Sequence, residues 1–241
     1  MQLDVRELAE FYDSHLGAVA RRIVLRRLRL IWPNVDNLRL LGYGYATPFL
    51  RPFLFEAERG VAAMPAHMGV MAWPGGKCLT TLVEEDALPF PDAFFDRILV
   101  VHGVEGAESL RPLLRQLWRV LAPEGKLLLV VPNRASLWAQ LESSPFGHGR
   151  PFSRRELDAL LRGVLFEPVY WDRALYVPPI DSRTLVGTGA GWERFGARFY
   201  PRLGGVHLVE ATKSLYAPVG PAATAPSGAR PARLNPVGPE N

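Results

Sequence analysis

The spacing of apolar residues along the chain first predicts helices. Over 3–31, apolar side chains recur every three to five positions, as one or two amphipathic helices require. Leucines at the same spacing predict a second helical stretch over 110–121, which Pro123 and Gly125 would end. Both segments therefore have one face suited to cover a core.

Two further helix starts carry capping residues. Thr47 stands before Pro48, so we expect Thr47 to cap a helix whose first residue is proline. Ser153 and Glu156 have the spacing of a capping box, which predicts a helix through Leu161.

Short apolar runs bounded by turn residues predict strands between these helices. The runs are 38–41, 61–64, 79–83, 95–102, 126–131, 166–175 and 206–213. The fourth run is continuously apolar from Ile98, which is typical of a parallel sheet covered on both faces. Alternation of strands and helices predicts an α/β fold, Rossmann-like and doubly wound, with a mostly parallel seven-stranded sheet.

The same pattern divides the chain into three parts. Residues 1–35 form an N-terminal helical extension, and 36–216 form the α/β domain, with an insertion at 176–203. Residues 217–241 are mainly Pro, Ala, Gly and Ser and cannot bury enough apolar surface to offset ordering, so we expect a disordered tail.

Composition narrows the class of protein. The 241 residues, 48% of them hydrophobic, are enough for one sizeable core. No apolar run approaches the roughly 20 residues that span a bilayer, and residues 1–11 lack the pattern of a signal peptide. Cys78 is the only cysteine, which excludes an internal disulfide and a Cys-rich zinc site. We expect a cytoplasmic protein.

The net charge of +4 comes almost entirely from arginine, because the chain has three lysines. Five arginines lie between Arg21 and Arg29. They form either a solvated helix face or a surface for phosphate or anionic lipid. Net charge alone does not indicate a nucleic-acid partner, and we do not expect one.

A glycine-containing loop follows the first predicted strand. Gly42, Gly44 and Ala46 form a G-x-G-x-A pattern, and glycine lets the backbone approach a ligand. The dinucleotide fingerprint requires a further glycine where this chain has Thr47. A dinucleotide oxidoreductase is therefore disfavoured.

Three later segments, in this order and spacing, resemble one family. They are LPFPDAFFD at 88–96, RVLAPEGK at 119–126 and FSRREL at 152–157. This order resembles the class I S-adenosylmethionine (SAM)-dependent methyltransferases, most closely the small-molecule group that includes quinone- and biotin-pathway enzymes. The resemblance covers roughly residues 36–170.

The resemblance implies a SAM site along the carboxyl ends of the strands. The loop of Gly42, Gly44 and Ala46 would lie against the methionine part of SAM. Glu84 would contact the adenine amino group, with the backbone amide of Glu85 on the ring; the alternative is that these are solvated loop acids.

The end of the second strand departs from the family pattern. The family has a carboxylate there that holds the ribose hydroxyls, whereas the corresponding position in this chain falls near Met64 or Pro65. Either the ribose is held differently, or SAM binds weakly, or the site is vestigial.

Candidate catalytic and substrate residues surround the same edge. His102 matches a family position beside the sulfonium and is either a general base or a pocket wall. Tyr43 and Tyr45 either pack under the sheet or line the pocket. Tyr12 would belong to a helix that covers the pocket or simply packs, and His148 is a candidate on the acceptor side.

The sequence thus predicts methyl transfer from SAM to a small molecule by in-line displacement. A non-catalytic relative that serves as a binding or scaffold subunit is the main alternative. An RNA-directed methyltransferase that uses the arginines of 21–29 is the third, and it would bind with strong salt dependence.

Overall fold

The computed structural model describes residues 3–74, 78–142, 144–180 and 189–214. Seven strands form one sheet: β1 (Arg39–Gly44), β2 (Arg59–Pro65), β3 (Thr80–Val83), β4 (Phe95–Val101), β5 (Leu121–Pro132), β6 (Phe166–Ala174) and β7 (Val206–Lys213). Their order is β3-β2-β1-β4-β5-β7-β6. The first five strands are parallel, and β7 runs antiparallel to both of its neighbours. The predicted Rossmann-like sheet is confirmed, as a mixed sheet.

Six α-helices lie within the described residues. They are α1 (Val5–Asp13), α2 (His15–Ile31), α3 (Thr47–Leu50), α4 (Leu110–Val120), α5 (Arg154–Arg162) and α6 (Gly189–Phe199). The N-terminal stretch is thus two helices. The capping box that opens α5 is present, because Ser153 Oγ accepts from the Glu156 amide and the Glu156 carboxylate accepts from the Ser153 amide.

Two helix boundaries differ from the prediction. Thr47 does not cap α3: Ala46 holds the cap position with helical dihedral angles, and an N-cap side chain needs an extended backbone to reach back. Helix α4 ends at Val120, before Pro123 and Gly125, because Leu121 turns extended and pairs with Phe95.

The sheet has a separate hydrophobic core on each face. Helices α1 and α2 cover one face, where Leu8, Val24 and Leu28 are buried in the same cluster as sheet residues. Helices α4 and α5 cover the other face through residues such as Leu114 and Leu161. In the described part of the β2–β3 and β3–β4 connections there is no α-helix, so α2 provides cover that crossover helices would otherwise give.

The junction between α1 and α2 is a tight bend. Ser14 Oγ accepts from the Gly17 amide at 3.1 Å and donates to the Phe11 carbonyl at 2.6 Å. A methyl group at Gly17 would lie 1.8 Å from the Phe11 carbonyl oxygen. Only glycine permits this close approach, which folds α1 back toward the carboxyl edge of the sheet.

Parts of the predicted organisation fall outside the described residues. The tail at 217–241 does so entirely, and the insertion at 176–203 is described only as 176–180 and 189–203. Across the described chain, no helix is long and apolar enough to cross a membrane.

Candidate functional site

The carboxyl ends of β1 and β4 meet at the middle of the sheet. Gly44 pairs with Val101 in the parallel ladder, so the loop after β1 faces the loop that follows β4. Gly44 has a φ of 76°, and a methyl group there would lie 2.4 Å from the Val101 carbonyl oxygen and 2.8 Å from the Gly103 nitrogen. The two loops are therefore in direct backbone contact.

Neighbouring backbone and side-chain contacts tighten this junction. The Tyr45 amide donates to the Val101 carbonyl at 2.7 Å. A methyl group at Gly42, which lies inside β1, would be 2.9 Å from the Ala46 side chain, which is itself fully buried. The G-x-G-x-A pattern thus serves close packing of β1 against its own loop and against β4.

Three buried polar side chains form a hydrogen-bonded chain at this edge. The Tyr12 hydroxyl lies 2.7 Å from His102 Nε2, and His102 Nδ1 lies 3.0 Å from Glu105 Oε1. All three residues are at most 8% exposed. The other Glu105 oxygen accepts from the Val104 amide.

One arrangement of protons satisfies both hydrogen bonds among Tyr12, His102 and Glu105. Burial, and then the nearby Glu105 carboxylate, raise the pKa of the Tyr12 phenol well above its usual value of 10. The phenol therefore stays protonated and is able to donate to Nε2. In the tautomer that carries its proton on Nδ1, His102 accepts from Tyr12 at Nε2 and donates to Glu105 at Nδ1.

Aromatic rings enclose this polar chain. The Tyr12 ring stacks on Tyr45 with a centroid distance of 5.7 Å, and Phe49 meets Tyr12 edge-on at 5.4 Å. Phe146 lies 4.9 Å from the His102 ring. His102 also has a φ of 51°, a conformation rare outside glycine. Such backbone strain is often found at functional sites.

A small pocket opens beside His102 and Glu105. Its lining includes His67, His148 and Leu8, and its cavity volume is about 30 Å³. That is on the order of the volume of one water molecule, whereas small-molecule sites enclose about 300–1,000 Å³. His148 Nε2 lies 2.7 Å from the Glu142 carbonyl oxygen, which orients its ring.

Glu84 and Glu85, the two acidic residues after β3, have different surroundings. Glu84 is exposed and forms a turn with Ala87. The Glu85 carboxylate accepts from the backbone amides of Glu108 and Ser109 at the start of α4, and it lies 3.5 Å from His67 Nδ1. The side chain of Glu85 is thus engaged in holding α4 in place.

Two further predicted residues lie in the cores. Met64, near the end of β2, is fully buried in the core beneath α1 and α2. Tyr43 is fully buried in the opposite core, on the α4–α5 face, and its hydroxyl has no hydrogen-bond partner among the described residues. Burial raises the pKa of Tyr43.

SAM does not fit this conformation of the edge. The resemblance implies that SAM lies against the loop of Gly42, Gly44 and Ala46 and beside His102 and Gly103. Tyr12 and Tyr45 fill the space alongside. Both Met64 and Pro65 are buried and neither carries a carboxylate. Of the two acids predicted for the SAM site, Glu85 is engaged with α4 and Glu84 is exposed and is not engaged with α4.

Two residues of this site were not predicted from sequence. Glu105 and His67 both reach the pocket, and Glu105 completes the polar chain. The spacing His102-x-x-Glu105 is the one signal that points to Glu105, because a turn brings such residues together. The pairing of His67 with Glu85 has no local signal.

The arginines of α2 are partly neutralised. Arg29 forms an ion pair with Glu56 at 2.5 Å, and Arg27 lies 3.5 Å from Asp172. This pairing lowers the positive potential available to a polyanion along α2.

Comparisons with known proteins bear on the family. Residues 71–129 match the model of a methyltransferase domain family. A 45-residue segment is 44% identical to the ubiquinone/menaquinone biosynthesis C-methyltransferase UbiE of Pectobacterium carotovorum. The segment covers 19% of this chain and 18% of that protein, so the match spans about a fifth of the curated relative.

Solved structures share the architecture at low identity. A SAM-dependent methyltransferase of Thermotoga maritima, described as a possible histamine N-methyltransferase, superposes with a TM-score of 0.64 at 19% identity, over 87% of this chain and 96% of that one. The [4+2]-cyclase SpnF superposes with a TM-score of 0.53 at 18% identity, over 81% and 82%. These likenesses show the fold. The chain therefore has the class I SAM-dependent methyltransferase fold, and its residues 71–129 match a methyltransferase domain family.

Proposed function

We propose that this protein is a SAM-dependent methyltransferase that acts on a small molecule, with α1 covering the site at rest. The observation that carries the proposal is the Tyr12–His102–Glu105 chain at the edge where β1 and β4 end. Ligands of open α/β sheets bind outside the carboxyl ends of the strands, near this position. The match of 71–129 to a methyltransferase domain supports it.

His102 is the proposed general base. In the proposed tautomer Nδ1 donates to Glu105, 3.0 Å away, so Nε2 is the nitrogen that can accept a proton. Tyr12 occupies Nε2 in the covered state. When Tyr12 withdraws, Nε2 faces the edge and can take the proton of an acceptor hydroxyl or amine, a contribution of about 10²–10⁴ in rate.

The cover has an energetic consequence for ligand binding. Withdrawal of α1 exposes Leu8 and Tyr12, each only 1% exposed at rest. At about 1.5–3 kcal/mol for each large side chain, opening costs about 3–6 kcal/mol. A ligand that binds only the open state then has an apparent affinity reduced by roughly 10²–10⁴.

Isothermal titration with SAM and its demethylated product tests whether α1 covers the site. Tyr12→Ala removes the largest buried side chain of α1, so we expect it to bind SAM at least tenfold more tightly than the natural chain. Tyr200→Ala, at an exposed tyrosine, is the matched control and should bind as the natural chain does. Equal affinity in Tyr12→Ala and the natural chain contradicts the cover. Absence of binding in both contradicts the proposed function.

Transfer of labelled methyl groups to the small-molecule fraction of a cell extract tests the base. His102→Gln should lower kcat by about 10²–10⁴. Glu105→Gln should lower kcat less and leave KM unchanged, because Glu105 orients His102 without touching the acceptor. A change in KM alone would assign both residues to binding.

A non-catalytic protein with the same fold is the second candidate. The direct contact of Gly44 with Gly103 and the absence of an acid at Met64 and Pro65 favour it. The cyclase SpnF has this fold under a different activity in its name, so the fold alone does not imply methyl transfer. Folded Tyr12→Ala protein that neither binds SAM nor transfers methyl groups would support this candidate.

A further inference from the structure

A second cleft lies at the far end of the sheet, away from the candidate site. It is bounded by β6, β7, the start of α5 and the turn at Pro201, and its cavity volume is about 240 Å³. Trp171, in its wall, packs with the core beneath α4 and α5, whereas Tyr12 belongs to the core on the other face. β5 separates β7 from β4. The cleft is therefore independent of the site at His102.

His207 is the unusual residue of this cleft. It pairs with Val131 and Arg173 in the sheet, is 2% exposed and lines the cavity. Neither ring nitrogen has a hydrogen-bond partner among the described residues. Burial, followed by the positive charges of Arg173 and Arg154, lowers the pKa of His207 to about 4. The ring is thus neutral at pH 7 and has an N–H donor without an acceptor.

A buried donor of this kind normally has a partner. An unsatisfied buried polar group costs about 1–3 kcal/mol, so native proteins rarely retain one without a bound water, ion or ligand. The Phe152 carbonyl is close enough to favour the protonated form of His207 but does not meet the geometry of a hydrogen bond.

Two guanidinium groups face the same space. Arg173 Nε is buried and also without a partner among the residues described, while its Nη1 donates to the Pro201 carbonyl and is held there. Arg154 lies over the Trp171 ring, 4.9 Å from its centroid. Tyr176 closes one side, and its hydroxyl already donates to Pro201.

The acid beside the cleft does not cancel this charge. Asp172 lines the cavity, but its carboxylate accepts from the Arg173 amide and lies 3.5 Å from Arg27. The cleft therefore keeps the charges of Arg154 and Arg173 in excess, together with the neutral donor of His207.

We propose that this cleft binds the phosphate group of a small molecule. The donors lie on three segments, α5, β6 and β7, and a tetrahedral oxyanion has more oxygens to accept from them than a planar carboxylate has. Guanidinium groups bind phosphate oxygens strongly. The cavity is about eight times the roughly 30 Å³ of one water, so it also has room for an organic part of the ligand beside Trp171.

Calorimetric titration of the full chain with inorganic phosphate, at constant ionic strength, tests the proposal. We expect saturable binding of one phosphate per chain. Arg154→Gln should weaken it at least tenfold, and Arg155→Gln, at the next exposed arginine of α5, should leave it unchanged. Arg154 is exposed, so its replacement is not expected to affect folding.

Two further measurements complete the test. His207→Phe, checked for folding by circular dichroism, should also lose phosphate binding. Malonate, a probe with planar carboxylates, should bind more weakly than phosphate. No saturable binding at millimolar phosphate, equal losses in Arg154→Gln and Arg155→Gln, or tighter binding of malonate would each overturn the proposal.

Discussion

A single side chain, that of Arg119, connects two segments that are separate in the sequence, 88–96 and 119–126. Arg119 donates to the carbonyls of Leu88 and Phe90 at 2.7 and 2.9 Å and pairs with Asp92 at 2.6 Å. Arg119, the first residue of segment 119–126, therefore fixes the loop within segment 88–96. Their order along the chain was recognisable from sequence, whereas this contact was not.

Arg119→Lys tests the importance of that clamp. A lysine is a single charged point and cannot serve three acceptors in a fixed fork, so we expect the free energy of unfolding to fall by about 1–3 kcal/mol. Urea unfolding measures it. Arg115→Lys, on an exposed face of the same helix, should change stability by less than about 0.5 kcal/mol. An unchanged urea midpoint in Arg119→Lys would show that the clamp is dispensable.

At the residue scale, the sequence predicts the local capping box of Ser153 and Glu156, which the structure contains. The sequence predicts His102 as a base or a pocket wall, and the structure adds Glu105, three residues later, within hydrogen-bond distance of its Nδ1. Tyr12 reaches His102 across 90 residues of sequence. No local sequence pattern predicts the contact between Tyr12 and His102, because this contact depends on how α1 folds back over the sheet.

Elements were predicted best where one periodicity dominates. Helices α4 and α5 and strand β7 lie close to their predicted bounds. The end of α4 differs from the predicted Leu121 by one residue, because β5 begins there and pairs at once with β4. Helix α3 has four residues and no side-chain cap, so its start carried little sequence signal.

Helix α1 offers a test at this scale. The Asp4 carboxylate accepts from the amides of Arg6 and Glu7 and forms a capping box with Glu7. Loss of such a cap costs about 1 kcal/mol, so Asp4→Ala should speed amide exchange in α1 about fivefold and leave exchange in β4 and β5 unchanged. Hydrogen exchange read by mass spectrometry resolves the two regions. Glu10→Ala, exposed on the same helix, is the control. Faster exchange throughout the sheet would mean that α1 opens only with global unfolding.

Across the whole molecule, the two ends of the described chain are tied by one buried carboxylate. Glu210 on β7 accepts from Trp32 Nε1 at 2.8 Å and lies 3.1 Å from Lys126 Nζ on β5. It is 5% exposed, and it joins Trp32, the residue after α2, to strands β5 and β7. The fold class was predictable from strand and helix alternation, but this tie links positions 178 residues apart.

Glu210→Leu should be strongly destabilising. It leaves the Trp32 indole N–H buried without an acceptor and Lys126 without its partner, which costs about 2–4 kcal/mol. Thermal and urea unfolding measure the loss, and Glu124→Leu, at an exposed position, is the control. A variant as stable as the natural chain would mean that the apolar contacts and the ion pairs of α2 hold it without Glu210.

The glycine at the bend between α1 and α2 has a consequence for experiment. Alanine at position 17 favours helix α2 by up to about 1 kcal/mol, but its methyl group would collide with the Phe11 backbone. Gly17→Ala is thus a steric wedge: it would drive α1 off the sheet while every residue around His102 stays natural. A variant with α1 held away from the sheet would distinguish two roles of α1. One is to block access to the site at His102, and the other is to contribute Tyr12 to that site.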